Sequence, residues 1–354
     1  MEQKYEPRIG LDGKMIKVVT FGEIMMKLSP PSYQRILQSS TLNVEYAGSE
    51  SNVAVSLSNF GVETRLVSKL PNNELGGAAV NRLRQFGVDV SSIVRGGDRI
   101  GVYFVEKGAS QRPSKVIYDR AHSALAEAKK TDFEWNRIFR DVTWFHFSGI
   151  TPALSDTVAE ICMDACVAAK EMNLTISCDL NYRKKLWTSD KANLVMTELC
   201  KYVDVCIANE EDAANVFGIE AKYSDVNKGV LDIQDYIDVA SQLQHRFGFK
   251  LVAITLRESQ SANDNNWSAI LFDGEHVYNS RKYQIHIVDR IGGGDSFCAG
   301  LIYGCLNKFN KQRTLDFALA ASCLKQTIEG DFNLVSVREV ESLINSVGSG
   351  RIVR

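Results

Sequence analysis

The 354-residue chain carries 41 Lys and Arg against 43 Asp and Glu, a formal charge of −2, and 45% of its residues are hydrophobic. That apolar fraction excludes disorder as a description of the whole chain, and the balanced charge excludes a protein that neutralises nucleic acid or an acidic membrane in bulk. The length fits two domains or one large α/β unit.

In chain order, the polar first 14 residues read as an N-terminal extension with no apolar segment of the secretory kind. No apolar run approaches the ~18 residues of a membrane-spanning helix. A β-like run at 16–25 precedes a helical pattern at 50–61 that ends on Gly61; a strand at 64–70 precedes a helix at 74–87 that ends on Gly87. The same grammar returns in apolar strands at 144–149, 174–180, 202–209 and 250–256, with helices near 155–172, 189–201, 210–217 and 232–247. Apolar strands alternating with helices predict a doubly wound, mostly parallel α/β sheet covered on both faces. Residues 25–47 and 98–121 break that grammar, with strands and turns but no helix, and predict a small antiparallel β lid over the carboxyl ends of the main strands, where ligands bind. Residues 264–267 read as a turn, and 347–354 as a tail behind a single domain spanning 15–346. The eight cysteines form no CxxC pair and sit in apolar runs, as buried thiols in a reducing cytoplasm do.

The most informative segment is VDRIGGGDSFCAGLIYGCLNKF, residues 288–309. A strand at 283–288 runs into Gly292, Gly293 and Gly294, then Asp295, then an apolar-periodic helix. Glycines let a ligand approach the backbone, and a helix start offers unpaired N–H groups at the positive end of a dipole, so the turn suits a phosphate. It has neither the Lys-Ser/Thr of a Walker A loop nor a G-x-G-x-x-G spacing. Asp295 has two readings: a helix cap, or a base that takes the proton of an attacking hydroxyl while the glycine amides hold a transferring phosphoryl group. A carboxylate at a helix N-terminus is expected to have a lowered pKa.

DRIGGGDSFCAG at 289–300 is similar to the C-terminal motif of the PfkB (ribokinase-like) carbohydrate kinases, and AGSESNVAVSLSNFG at 47–61 resembles their N-terminal Gly-Gly-x-x-x-Asn-x-Ala motif, with Ala47 at the first glycine. The resemblance runs from about 16 to 346. It implies a ribokinase-like fold, ATP as phosphoryl donor and Mg²⁺ as cofactor. By position it implies Asp295 as catalytic base, Gly292 to Gly294 as anion hole, and Gly48 and Asn52 as substrate contacts. ANEEDA at 208–213 resembles the family's Asn-x-x-Glu motif, so Asn209 is expected at ATP and Asp212, in place of Glu, at the metal through water. TLRES at 255–259 resembles the nucleotide loop, which places Thr255 and Arg257 at ATP, the arginine standing where glycine is usual.

Four further segments resemble those of 2-keto-3-deoxygluconate kinases: IGVYFVEKG with Tyr103, KVIYDRAHSA with Tyr118 and Arg120, CDLNYRKKLW with Arg183, and EGDFNLVS with Asp331. The resemblance implies that all five residues contact substrate. Arg120 on the lid and Arg183 past a strand end are expected to converge on a substrate carboxylate with charge-assisted bonds. His146 reads as a core residue, and His122 has no assigned role. The expectation is an ATP-dependent phosphorylation of 2-keto-3-deoxygluconate at its 6-hydroxyl in the cytoplasm, without nucleic-acid or membrane partners, with a homodimer or higher oligomer formed through the lid. The alternatives are a fructokinase or ribokinase on a neutral sugar, or a non-catalytic sugar or nucleotide sensor.

Overall fold

The structure is a computed structural model that describes residues 17–209, 211–221 and 232–345. The N-terminal extension, the C-terminal tail and the last residue of the expected domain lie outside the described residues. The chain begins with β1 (Lys17–Phe21), β2 (Met25–Ser29), β3 (Asn43–Ala47), α1 (Ser49–Asn59), β4 (Glu63–Leu70), α2 (Glu74–Arg84) and β5 (Ile93–Arg95). β6 (Val102–Glu106), β7 (Lys115–Asp119), α3 (Trp135–Ile138), β8 (Trp144–Ser148), α4 (Asp156–Glu171), β9 (Thr175–Asp179), α5 (Ser189–Cys200) and β10 (Val205–Asn209) follow. The remainder is α6 (Asp212–Phe217), α7 (Ile233–Phe247), β11 (Leu251–Ser259), β12 (Asp264–Phe272), β13 (Val277–Asn279), β14 (Tyr283–His286), α8 (Gly293–Leu306), α9 (Lys311–Lys325) and α10 (Val337–Asn345).

The main sheet has the order β13-β12-β11-β10-β9-β8-β1-β4-β5, with β14 also paired to β12. From β5 to β11 every pairing is parallel; β12 turns antiparallel onto β11. Neighbouring residues on a strand point to opposite faces, so Val19 belongs to the core that also holds residues of α4, α5 and α7, and Val18 to the core that holds residues of α1, α8 and α9. Buried on both faces, the parallel strands need apolar residues throughout, which is why β8 reads WFHFS and β10 reads VCIAN. Strand order reverses between β1 and β8, and the crevice at such a switch point is where ligands sit in open α/β sheets.

The lid is a separate four-stranded sheet, β3-β2-β6-β7. Both outer pairings are antiparallel, and the central β2–β6 pairing, where the two insertions meet, is parallel. Two expectations fail. Residues 264–267 are the start of β12 rather than a turn, paired with both β11 and β14, and the run at 16–25 breaks at Gly22 and Glu23, where the chain leaves the main sheet for the lid.

Candidate active site

A cleft of 490 Å³ opens at the carboxyl ends of the strands, between the main sheet and the lid. It is lined by every site residue expected from the sequence: Gly48, Asn52, Tyr103, Tyr118, Arg120, Arg183, Asn209, Asp212, Thr255, Arg257, Gly292, Gly293, Gly294, Asp295 and Asp331.

The floor is the glycine turn. Gly292 is the N-cap of α8 at φ +84°, and a Cβ there would sit 2.0 Å from the Asp331 carbonyl oxygen, so only glycine fits. The bond from the Ser296 amide to the Gly292 carbonyl, at 2.9 Å, closes the first helical turn, and the amides of Gly294 and Asp295 precede it. Beyond the helix's own backbone and its chain neighbours, nothing lies within 4 Å of a Cβ position on Gly294, which lines the cleft.

Asp295 does not cap the helix: no side chain caps α8. Its carboxylate instead accepts from Ser49 Oγ and Asn52 Nδ2, each at 2.7 Å, both in the first turn of α1. The two donors hold both carboxylate oxygens in place across some 240 residues of chain. Burial pushes the Asp295 pKa up, against the two hydrogen bonds and Arg183, which pull it down; the nearby Asp331 adds to the rise. This reverses the expected lowered pKa, with desolvation the largest cause, ahead of both hydrogen bonds.

Asp295 belongs to a carboxylate cluster with Asp179 and Asp212. Burial raises Asp179 well above the usual carboxylate range, and its neighbours Asp212 and Asp295 add to the rise. Burial likewise raises Asp212, although its oxygens accept the backbone amides of Tyr182 at 3.0 Å and Asn209 at 2.9 Å. Asp212 therefore ties the loop after β9 to the end of β10. Asn209 Oδ1 accepts the amides of Glu211 and Asp212, fixing the start of α6. Arg183, half-buried, opposes the charge of all three aspartates. Thr255 and Arg257 occupy the end of β11 on the same rim, with Trp267 facing Arg257 across the β11–β12 pair.

The structure alters the expectation for Arg120. Its guanidinium is buried and held by Glu23, with Nε 2.8 Å from Oε2, so it enters the cleft as a paired charge while Arg183 is free of that clamp. Tyr103 and Asp331 also meet each other: Asp331 accepts from Tyr103 Oη and from Lys27 Nζ, the latter at 2.6 Å. Tyr118 stacks on Tyr103 with ring centroids 6.0 Å apart. His146 is fully buried beside Ser177 Oγ, and burial holds its pKa down at about 3, so it stays neutral in the core as expected. His122 is exposed and pairs with Glu127.

Sequence reasoning missed Glu23, Glu50, Lys27 and Asp289. Glu50 is fully buried under the cleft, accepting from the Ser148 amide and hydroxyl and from Thr151 Oγ1. The signal was available as charged residues inside otherwise apolar or glycine-marked segments, such as Lys27 within β2.

A buried carboxylate held beside a glycine-lined helix N-terminus, in a lidded cleft, has the parts that phosphoryl transfer to a hydroxyl requires. The chain matches the pfkB family of carbohydrate kinases over residues 15–334. It is 34% identical over 336 residues to a 2-dehydro-3-deoxygalactonokinase of Haloferax volcanii, covering 94% of this chain and 98% of that one. It is 27% identical over 328 residues to a 2-dehydro-3-deoxygluconokinase of Bacillus subtilis, covering 92% and 94%. The crystal structure of 2-dehydro-3-deoxygluconokinase from Thermotoga maritima superposes with a TM-score of 0.90 at 51% identity, covering 94% of this chain and all of that one. The chain belongs to the pfkB family and is a carbohydrate kinase.

Proposed function

We propose that the protein phosphorylates a 2-keto-3-deoxy sugar acid, transferring the γ-phosphoryl group of ATP to the 6-hydroxyl of 2-keto-3-deoxygluconate. The observation that carries the reading is the carboxylate of Asp295, released from helix capping and fixed by Ser49 and Asn52 beside the glycine turn. The names of the similar kinases support the acidic substrate. Arg183 supplies the guanidinium for its carboxylate, because Arg120 is already neutralised by Glu23.

Asp295 takes the proton from the 6-hydroxyl as the oxygen attacks phosphorus, and its raised pKa makes it a stronger base than an exposed aspartate. The amides of Gly294 and Asp295 meet the charge on the transferring group, the Gly293 amide being bonded to the Arg290 carbonyl. Burial drives Glu50 and Asp179 toward their neutral acid forms, which lowers the negative charge a substrate anion meets. The lid excludes water, the competing nucleophile. Tyr103, Tyr118 and Asp331 form its inner wall, Gly48 and Asn52 the opposite one, and Asn209, Thr255 and Arg257 the nucleotide end.

Mg²⁺ would enter with the ATP phosphates, whose charge it neutralises. The donor set fits that arrangement: among the described residues no group of three His, Cys, Asp or Glu is placed to hold a metal, and Asp212, whose two oxygens each accept one backbone amide, is the carboxylate we assign to the metal through water. The eight cysteines, all free thiols, suit the reducing cytoplasm we propose as its compartment. Val44 and Ile117 expose apolar surface on the lid strands, the face we assign to a homodimer; sedimentation tests it.

A coupled ADP-release assay on 2-keto-3-deoxygluconate, its C4 epimer, fructose and ribose tests the reading. We expect a sugar acid to exceed the neutral sugars by about 100-fold in kcat/KM, the scale of a charge-assisted contact. Preference for fructose or ribose would assign the cleft to a neutral sugar, and binding without turnover would make the protein a sensor.

A further inference from the structure

The last turn of α9 presents Ser322, Lys325 and Gln326 on one face, three and four residues apart, and that face grips the glycine turn from below. Ser322 Oγ donates to the Gly293 carbonyl at 2.7 Å. The Gln326 carbonyl accepts the amides of Val288 and Asp289, and its side chain packs against Gly293. Between them lies Lys325, with no exposed surface. Its ammonium donates to the Asp289 carbonyl at 3.1 Å, and its Cε stands 3.3 Å from where a Cβ on Gly292 would be.

A fully buried lysine is rare and costly unless its charge is matched. Here the matching groups come from four elements. Lys27 on β2 pairs with Asp331 at 2.6 Å, Glu45 at 3.0 Å and Asp289 at 3.5 Å. Asp289 and Asp331 flank the turn on its two sides and also face Lys325, as does Asp295 on α8. Two buried ammonium groups thus stand among three buried aspartates and Glu45 beside the glycine turn. Without Lys325, Asp289, Asp331 and Glu45 would face only Lys27 and Lys107, the latter 4.0 Å from Asp289 and shared with Glu329, leaving net negative charge where a nucleotide polyanion must bind.

We infer that Lys325 is a positioning residue for phosphoryl transfer: a fixed internal cation that props the 289–292 backbone and keeps the glycine turn positive, although it touches neither substrate. The inference rests on the anion-hole reading of Gly292 to Gly294 and on no particular sugar. Burial lowers the Lys325 pKa, whereas Lys27 and Tyr103 in the same cluster are both pushed up by their environment; Lys107, just past β6, also reaches Asp289 at 4.0 Å.

The test compares wild type with Lys325→Gln and Lys325→Met on whichever sugar the substrate panel selects, so that a wrong sugar and a wrong role for Lys325 give different results. Glutamine keeps an N–H donor and removes the charge. We expect kcat to fall about 10- to 100-fold with KM for the sugar within about threefold. We also expect wild-type kcat to fall at alkaline pH as Lys325 deprotonates, a limb absent from the glutamine variant. Turnover of either variant within about twofold of wild type overturns the proposal, as does an alkaline limb that survives in Lys325→Gln. Should neither variant fold, a wild-type kcat that stays flat to about pH 10 overturns it by itself.

Discussion

Two groups of buried charges flank the cleft and are built in opposite ways. On the main-sheet side Asp179, Asp212 and Asp295 crowd together opposite one half-buried arginine, and all three have raised pKa values. On the lid side Lys27, Lys325, Asp289 and Asp331 mix both signs: acidic neighbours push the Lys27 pKa up, while burial raises Asp331 and lowers Lys325. We read the first group as the reactive one, and the second, in which charges of both signs meet, as the frame that joins the lid to the glycine turn.

The largest expected effect comes from the reactive group. Asp295→Asn should lower kcat about 1,000-fold while ADP binding, measured by calorimetry, is retained. The same variant should melt higher than wild type at pH 7. The raised folded-state pKa of Asp295 means that its charged form destabilises the fold at neutral pH; wild type recovers this as pH falls through that pKa, so the gain should close in acid. A lower melting temperature at pH 7 would contradict the contrast between the groups.

Next in size, Arg183→Ala should cost about 10- to 100-fold in kcat/KM on the sugar acid and little on a neutral sugar. An equal loss on both would remove the carboxylate contact from the account. Lys27→Met probes the frame: it leaves Asp331 and Asp289 short of a buried cation and should cost about 3 kcal/mol in denaturant unfolding. The smallest effect is expected of Asp212→Asn, which keeps one acceptor for the amides it ties; kcat should fall less than about tenfold with an unchanged Mg²⁺ requirement. A steep rise in that requirement would make Asp212 a direct ligand.

Local pattern carried most of the architecture, because alternating strand and helix periods, Gly61 and Gly87 as helix stops, and the glycine turn are all encoded within a few residues. What failed was whatever depends on distant partners. The segment 264–267 looks like a turn by composition and becomes a strand because β11 and β14 pair on both sides of it. Arg120 reads as a substrate cation until Glu23, 97 residues earlier, meets it. The direction of the Asp295 pKa depends on burial under α1 and the lid, to which a helix-dipole argument is blind.

The central claim, that a burial-raised Asp295 carboxylate is the base, is tested most directly by kcat against pH in wild type and Ser49→Ala. The account predicts an acid limb with its midpoint above the ordinary aspartate value of about 3.9, moving higher in Ser49→Ala, since the Ser49 hydrogen bond holds that pKa down. A rate that stays flat down to about pH 4, or a midpoint that Ser49→Ala leaves in place, would contradict it.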